Sequence, residues 1–474
     1  MQNNQRPGKQ DILRPGYYIS ESRFDRFLKA CNQAEMQTNT EQDAHMNRRS
    51  FIKKTVLGST AMAGSLYMPS FAQNRKIKVG LIGAGWYGMV VSEAALDVGG
   101  VEIVAVCDVD SNHLRDSADK LEQLQGVRPK TFQDYRDLLD INGLEAVFIA
   151  SPPQWHALQF IDACENGLDV FCEKPLCYDP MEGLAMIRAA QKAGNIVAIG
   201  FQRRQSKAFE YAHQYIQDGR AGNLHKVVAQ IHYTPNPGDS TIQDPPDSLD
   251  WDTWCGPAPK LPYRPGIAHR HWRLEKEYGN GHLVDWGIHH IDIIRRILGE
   301  KVPSEIYSTG GIFALKDRIT TPDALTSTMT FDTAPVVWQH RLWGAGEQRS
   351  TFNNGIFFHG EKKSIFVSDR RFIVWPSGDE DESVEREIQT EGGMQQNHMA
   401  EFIDAVKRKD PSGISSTTED AFYSSTTVQL AMIAYETGSI VKWDSKELNV
   451  KNNPAAAKRV RREYRAPYMH PKPA

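Results

Sequence analysis

The segment Gly83-Ala84-Gly85-Trp86-Tyr87-Gly88 constrains this chain more than any other, because three glycines at this spacing belong between a strand and a helix. Before it, "KIKVGLI" from Lys76 alternates and then runs apolar as a buried parallel strand does. After it, residues 89–96 carry apolar side chains at helical spacing. Gly83 permits the tight turn, Gly85 lets a pyrophosphate approach the backbone, and Gly88 lets the helix pack on the strand. Trp86 and Tyr87 occupy the two free positions and join the expected cofactor contacts. Phosphate would meet the free N–H groups and the positive dipole end of the helix. A second apolar strand, "VEIVAVCD", ends in Asp108, about 20 residues beyond the last glycine, where a carboxylate accepts ribose hydroxyls and repels a 2′-phosphate. The expected cofactor is NAD rather than NADP; FAD and a ligand-free α/β turn are the other readings of the glycines.

Strands and helices keep alternating, with helices expected at 111–124, 132–139, 155–166 and 180–193 and strands at 144–151, 168–174 and 196–201. This predicts an α/β fold, a doubly wound parallel sheet over residues 75–200. Such sheets bind ligands outside the carboxyl ends of their strands, so polar residues at strand ends are the candidates. One set is Ser151, Pro152 and His156 in "SPPQWH"; the other is Glu173 and Lys174 in "CEKP". A lysine at the end of a buried strand is costly unless paired, and desolvation lowers its pKa toward a range useful for proton transfer. A plain Glu–Lys salt bridge is the alternative.

With "GFQRR" at 200–204, these motifs resemble the glucose-fructose oxidoreductase / inositol dehydrogenase / rhizopine catabolism (Gfo/Idh/MocA) family of nicotinamide-dependent sugar oxidoreductases. The resemblance runs from about Lys76 to Trp443. It implies that Glu173 lies beside the nicotinamide, that Lys174 belongs to the catalytic group, that hydride transfer uses no metal, and that the protein is a homo-oligomer.

Residues 201–443 form the expected substrate domain. After a helix at 208–218 come "HKVVAQIHY", "IYSTGGIF", "LTSTMTF", "VVWQHRLW" and "KSIFVSD", strands with few helices between them, which predicts a large, mainly antiparallel sheet in an α+β domain. One helix interrupts, "GNGHLVDWGIHHIDIIRRIL", with Ile288, Ile291, Ile294 and Leu298 on its apolar side. On it Asp285 and His289 stand four residues apart on one face, so the carboxylate could orient an imidazole that accepts a carbinol proton. A structural pair is the alternative, and the D-x-x-x-H arrangement resembles the family's catalytic motif. Trp251, Trp254, Trp272 and Trp286 cluster near Arg273, as a carbohydrate subsite or as loop anchors. Arg203, Trp272 and Arg273 are the candidate substrate contacts. His269, His271, His282, His289 and His290 crowd one region, but their spacing fits no standard metal pattern, and no metal is expected. Two further helices, "HMAEFIDAVKR" and "TEDAFYSSTTVQLAMIAYETG", complete the domain.

Ahead of the fold, "NRRSFIKK" from Asn47 resembles the twin-arginine export signal. A thin apolar stretch follows and ends in Ser70-Phe71-Ala72, which fits a signal-peptidase site. Residues 1–72 are therefore expected to be a polar leader and signal (core 46–72), cut near Ala72 after export by the twin-arginine machinery to the periplasm. A net charge of −4 gives no basic face for nucleic acid, and no apolar run approaches the roughly 20 residues of a membrane span. The basic run "KRVRREYR" in residues 444–474 reads as a solvated or surface-docked tail. The six cysteines show no paired spacing, so structural disulfides are not expected. An exported enzyme has no ready nicotinamide pool, so it must leave the cell folded around its cofactor. The expectation is a periplasmic oxidoreductase of a sugar, glycoside or polyol CH–OH group with tightly held, recycled NAD. The competing readings are an NAD-dependent redox-assisted glycosidase and a non-catalytic sugar-binding or sensor protein.

Overall fold

The computed structural model describes residues 75–347, 349–377 and 383–472; the twin-arginine segment and its cleavage site lie outside the described residues. Six parallel strands open the fold: β1 (Ile77–Ile82), β2 (Val101–Cys107), β3 (Lys130–Phe132), β4 (Ala146–Ile149), β5 (Asp169–Glu173) and β6 (Val197–Gly200). Their order is β3-β2-β1-β4-β5-β6, so the chain reverses direction of travel between β1 and β4, which is where such sheets bind ligands. The central strands are buried on both faces, which explains their unbroken apolar runs. Five helices connect them: α1 (Trp86–Val98), α2 (Ser111–Gln125), α3 (Tyr135–Leu139), α4 (Pro153–Glu165) and α5 (Pro180–Ala193). Asp110, Asp134 and Asp179 cap α2, α3 and α5 by accepting backbone N–H bonds. Helix α1 begins at Gly85 with no side-chain cap, leaving its first N–H groups open to a ligand.

The second sheet has ten strands in the order β14-β13-β12-β11-β7-β10-β9-β8-β15-β16. They are β7 (Leu224–Ile231), β8 (Glu305–Gly311), β9 (Ala324–Thr330), β10 (Pro335–Arg341), β11 (Asn354–Gly360), β12 (Lys363–Val367), β13 (Arg371–Pro376), β14 (Val384–Glu387), β15 (Val441–Asp444) and β16 (Asn449–Lys451). Only β7 and β10 pair in parallel among the described strands of this sheet, because β10 enters beside β7 after the long excursion through β8 and β9. Strand β9 shows why one face is covered: Leu325, Ser327 and Met329 are buried while Thr326, Thr328 and Thr330 face out. The helices of this half are α6 (Lys207–Gln217), α7 (Trp251–Cys255), α8 (Ile288–Leu298), α9 (Met394–Arg408), α10 (Thr418–Thr437) and α11 (Pro454–Ala457).

Two late segments return to the first sheet. Helix α9 buries Met399, Phe402, Ile403 and Val406 in one cluster with Val79, Phe148 and Phe171, so the parallel sheet is finished by a helix from far down the chain. Helix α10 is buried nearly all round. Its Ser425 Oγ accepts the Leu176 N–H at 3.1 Å, and its Gln429 accepts from Asn280 at 2.6 Å, which ties the end of β5 to the approach to α8. Of the two readings of the basic tail, the docked one holds: β16 extends the large sheet, and Arg462, Arg465 and His470 then dock on Glu182, Asp252 and Asp179. The docking works because the basic run meets carboxylates already fixed in or near helix starts. Cys107, Cys164, Cys172, Cys177 and Cys255 are all free and buried.

Candidate active site

At the end of β1 the chain turns at Gly83, with φ of 89°, and a Cβ there would lie 2.6 Å from the Ser151 nitrogen. A Cβ at Gly88 would lie 1.9 Å from the Gly83 oxygen, so only glycine lets α1 start this close to β1. Asp108, just past β2, accepts the Ala84 N–H at 2.8 Å and the Asp110 N–H at 3.0 Å, which stiffens the glycine turn. His113 Nδ1 stands 3.6 Å from the same carboxylate. An uncapped helix N-terminus, a turn that admits no side chain, and a carboxylate beside it fit the pyrophosphate and ribose of a dinucleotide.

Beyond this turn opens a cavity of about 690 Å³, lined from both domains. Trp86, Tyr87, Ser151, Glu173 and Lys174 come from the first; Arg273, Asp285 and His289 come from the second. Lys174 Nζ donates to the Asp285 backbone oxygen at 2.7 Å and to its Oδ1 at 2.9 Å. Arg273 Nε sits 3.2 Å from Asp285 Oδ2. Burial alone would raise the Asp285 carboxyl, but Lys174 and Arg273 hold it below the usual carboxylate range. Its anion in turn compensates the lysine at the strand end.

Glu173 behaves oppositely. Burial pushes its carboxyl up to about 8, against the pull of Lys174, and its Oε1 is buried with no hydrogen-bond partner among the described residues. Gly200 makes room for it, since a Cβ there would lie 2.4 Å from Glu173 Oε1. A largely protonated acid with one unpartnered oxygen, its Oε2 accepting the Lys174 N–H at 3.2 Å, fits a polar ligand group such as a carboxamide at the cofactor end of the cavity. Because its folded pKa is raised, the stability it contributes is fully present below the ordinary carboxylate range and is lost as pH rises through about 8. Glu173→Gln should therefore melt higher than the wild type at about pH 9 and close to it at about pH 5. Thermal unfolding followed against pH checks this, and parallel curves for the two proteins would refute it.

His289 lines the cavity, and burial, with Lys174 and Arg203 nearby, holds its imidazole well below the ordinary range, hence neutral. Its Nδ1 is buried without a partner among the described residues. The expected Asp285–His289 pairing needs correction: the carboxylate is committed to Lys174 and Arg273 instead. The reason is local, since Leu283–Gly287 is a π turn, and in a widened turn residues four apart no longer stack.

His156 is a second correction. It is 1% exposed, with Nδ1 2.8 Å from the Pro175 oxygen and Nε2 2.8 Å from the Ser151 oxygen. It joins the ends of β4 and β5 from behind and does not line the cavity. Ser151 does line it, with Oγ bonded to Gln159, and Pro152 is the N-cap of α4. The tryptophan cluster divides. Trp251 and Trp254 stack at 4.7 Å in a core with Tyr278 that Trp272 also joins; Trp272 reaches the cavity from that core, and Trp286 reaches it separately. Arg203 also lines it, but is held to Asp369 at 3.1 Å and to His290 at 2.9 Å. The crowded histidines disperse: His269 bonds Asp110 at 2.8 Å, His282 packs on His340, and His271 lines the cavity. Tyr233, Arg270 and Asp369 also line the cavity, and no motif in the sequence singles them out.

Two family models match this architecture. The Gfo/Idh/MocA oxidoreductase family model for the NAD-binding Rossmann fold matches residues 77–201, and that for the C-terminal alpha/beta domain matches 237–310 and 379–470. The uncharacterized oxidoreductase YrbE of Bacillus subtilis (strain 168) is 27% identical over 237 residues, 50% of this chain and 58% of that protein. Inositol 2-dehydrogenase of Salmonella typhimurium is 34% identical over 148 residues, 31% of this chain and 43% of that one. The chain thus spans about half the length of these curated relatives. A levoglucosan dehydrogenase solved in complex with NADH and levoglucosan has the same fold, with a TM-score of 0.62 at 18% identity over 78% of this chain and 99% of that one. With the glycine turn, the strand-end lysine and both family domains in place, the chain belongs to the Gfo/Idh/MocA oxidoreductase family.

Proposed function

We propose that this protein is an exported, NAD-dependent oxidoreductase acting on a CH–OH group of a sugar, glycoside or polyol. The observation that carries the reading is Lys174 Nζ, anchored on Asp285 inside the cavity that Glu173 and His289 also line. Relatives named as dehydrogenases of inositol and of levoglucosan, both polyhydroxylated rings, support this substrate class. When bound, NAD supplies the hydride acceptor. Gly83, Gly85 and Gly88 would admit its pyrophosphate, Asp108 its ribose, and Glu173 would hold its amide end.

The chain's own groups then divide the proton work. Two of the three N–H bonds of Lys174 are used on Asp285, and the third is free for the carbinol oxygen, whose developing negative charge it stabilises. Asp285 holds that ammonium in place. His289, neutral and lining the cavity, accepts the carbinol proton. Trp286, 40% exposed, lines the cavity where a sugar ring would pack against it.

The twin-arginine resemblance of "NRRSFIKK" supports export of the folded protein with its cofactor captive. Captive NAD requires that each reduction be reversed within the same site, by a second sugar or by return of a keto-sugar intermediate. The test is to recover the mature protein from the periplasmic fraction, denature it and identify what is released by mass. Near-stoichiometric NAD(H) is the expected result; an empty protein that also fails to take up added NAD would overturn the reading.

A further inference from the structure

A loop of the second domain lies across the cofactor side of the first. Leu249 pairs with Asp110 as an isolated antiparallel bridge, the Ser111 N–H donates to the Ser248 oxygen at 2.9 Å, and the Asp250 N–H donates to the Val109 oxygen at 3.0 Å. These bonds fix the loop to the end of β2, immediately after the carboxylate Asp108. The loop's return limb brings His269 to the same place. His269 Nε2 donates to Asp110 Oδ2 at 2.8 Å, and its ring meets that of His113 at 4.1 Å between centroids, where His113 Nδ1 stands 3.6 Å from Asp108. Arg270, the next residue, lies 5.7 Å from the ring centroid of Trp86, the first residue of α1. Its guanidinium is exposed and has no carboxylate or hydrogen-bond partner among the described residues.

Two successive residues of one domain therefore stand on the two features of the other that would hold a dinucleotide: His269 beside the ribose carboxylate, Arg270 beside the open start of α1. An unpaired guanidinium next to free helix N–H groups has the charge and the donors for a pyrophosphate. The loop is also held away from this point. From α4, Trp155 Nε1 donates to the Thr253 oxygen at 3.0 Å and Gln154 Nε2 to the Trp254 oxygen at 3.2 Å. The end of the chain then grips it: the Arg465 N–H donates to the Pro257 oxygen at 2.8 Å, and the Arg465 guanidinium to Asp252 Oδ1 at 2.8 Å and to the Gly256 oxygen at 2.9 Å.

We propose that residues 248–270 form a strap that locks NAD in its site, with His269 and Arg270 as cofactor-binding residues supplied by the second domain. The proposal deepens the captive-cofactor reading and rests on it for NAD as the occupant. The glycine turn and α1 bind phosphate from one side only, so they do not by themselves keep the cofactor in. Release requires the His269–Asp110 bond and the Arg270 contact to break together, whereas Lys174 and His289 take no part in any of these contacts.

The test loads the protein with NADH, adds a large excess of NAD and follows the loss of bound-nicotinamide fluorescence. Arg270→Gln and His269→Ala should each speed release by roughly tenfold or more, and Arg270→Lys should recover part of the retention. Arg465→Ala, whose contacts are to the strap and not to the cavity, should also speed release by loosening it. A release rate unchanged in either Arg270→Gln or His269→Ala overturns the proposal, as does fast release that Arg270→Lys does nothing to slow. Reduction of NAD by a panel of sugars, run on the same proteins, separates the two readings. Faster release in the variants with no reduction by any sugar sinks the oxidoreductase assignment and leaves the strap standing. Reduction with release rates that the substitutions do not move sinks the strap alone.

Discussion

Lys174→Ala should lower kcat/KM by about 10³-fold or more while NAD still binds. The side chain does two things at once. It presents the donor to the carbinol oxygen, and through bonds of 2.7 and 2.9 Å to Asp285 it joins the end of β5 to the π turn ahead of α8. The glycine turn and Asp108 do not depend on it, so cofactor affinity should change far less than turnover. Lys174→Arg should not rescue, because the larger planar head cannot reproduce both bonds in a side chain only 14% exposed. Steady-state kinetics paired with NAD titration check this, and near-normal turnover would remove Lys174 from the chemistry.

Arg462→Ala should destabilise the protein by about 3–5 kcal/mol, lowering its melting temperature by roughly 4–6 °C. Glu182 has no exposed side-chain surface, and its Oε1 accepts from Arg462 Nε at 3.0 Å and from the Tyr464 hydroxyl at 2.9 Å. Arg462 also donates to the Gln154 oxygen at 3.1 Å and lies 4.0 Å over the Tyr178 ring. Removing the guanidinium strands a buried carboxylate, which costs far more than the pair contributes. Arg461→Ala, next door but exposed, should shift the melting temperature within about 0.5 kcal/mol equivalent. Thermal unfolding of the two variants separates a structural clasp from a charged tail; equal small effects would refute the clasp.

Those two residues mark the border of what the sequence discloses. The glycine turn was legible because its requirement is backbone geometry: Gly83 and Gly88 are positions where a Cβ has no room, and that shows as a pattern. Asp108 and the strand-end lysine were legible because strand ends are where such sheets bind ligands. Partnership was not legible. Asp285 and His289 share a helix face in the sequence, yet the carboxylate's bonded partner, Lys174, lies 111 residues away, and no local spacing encodes that. The apolar face of α9 shows that it packs, not that it packs on Phe148 and Phe171 of the other domain. Likewise "KRVRREYR" declares its charge but not Glu182, which meets it only after the chain has folded. His156 reads as a ligand contact because it follows the strand end at Ser151; helix α4 turns its ring inward, between the Ser151 and Pro175 carbonyls.

The reaction proposed for the cavity around Lys174 is hydride transfer between a CH–OH carbon and NAD. The most direct measurement is the near-ultraviolet absorbance of reduced nicotinamide when the NAD-loaded protein is exposed to a panel of neutral and anionic sugars and polyols. At least one member should raise this absorbance in the wild type, and Lys174→Ala should abolish the rise. No change across the panel with NAD demonstrably bound, or an equal change in Lys174→Ala, would contradict it.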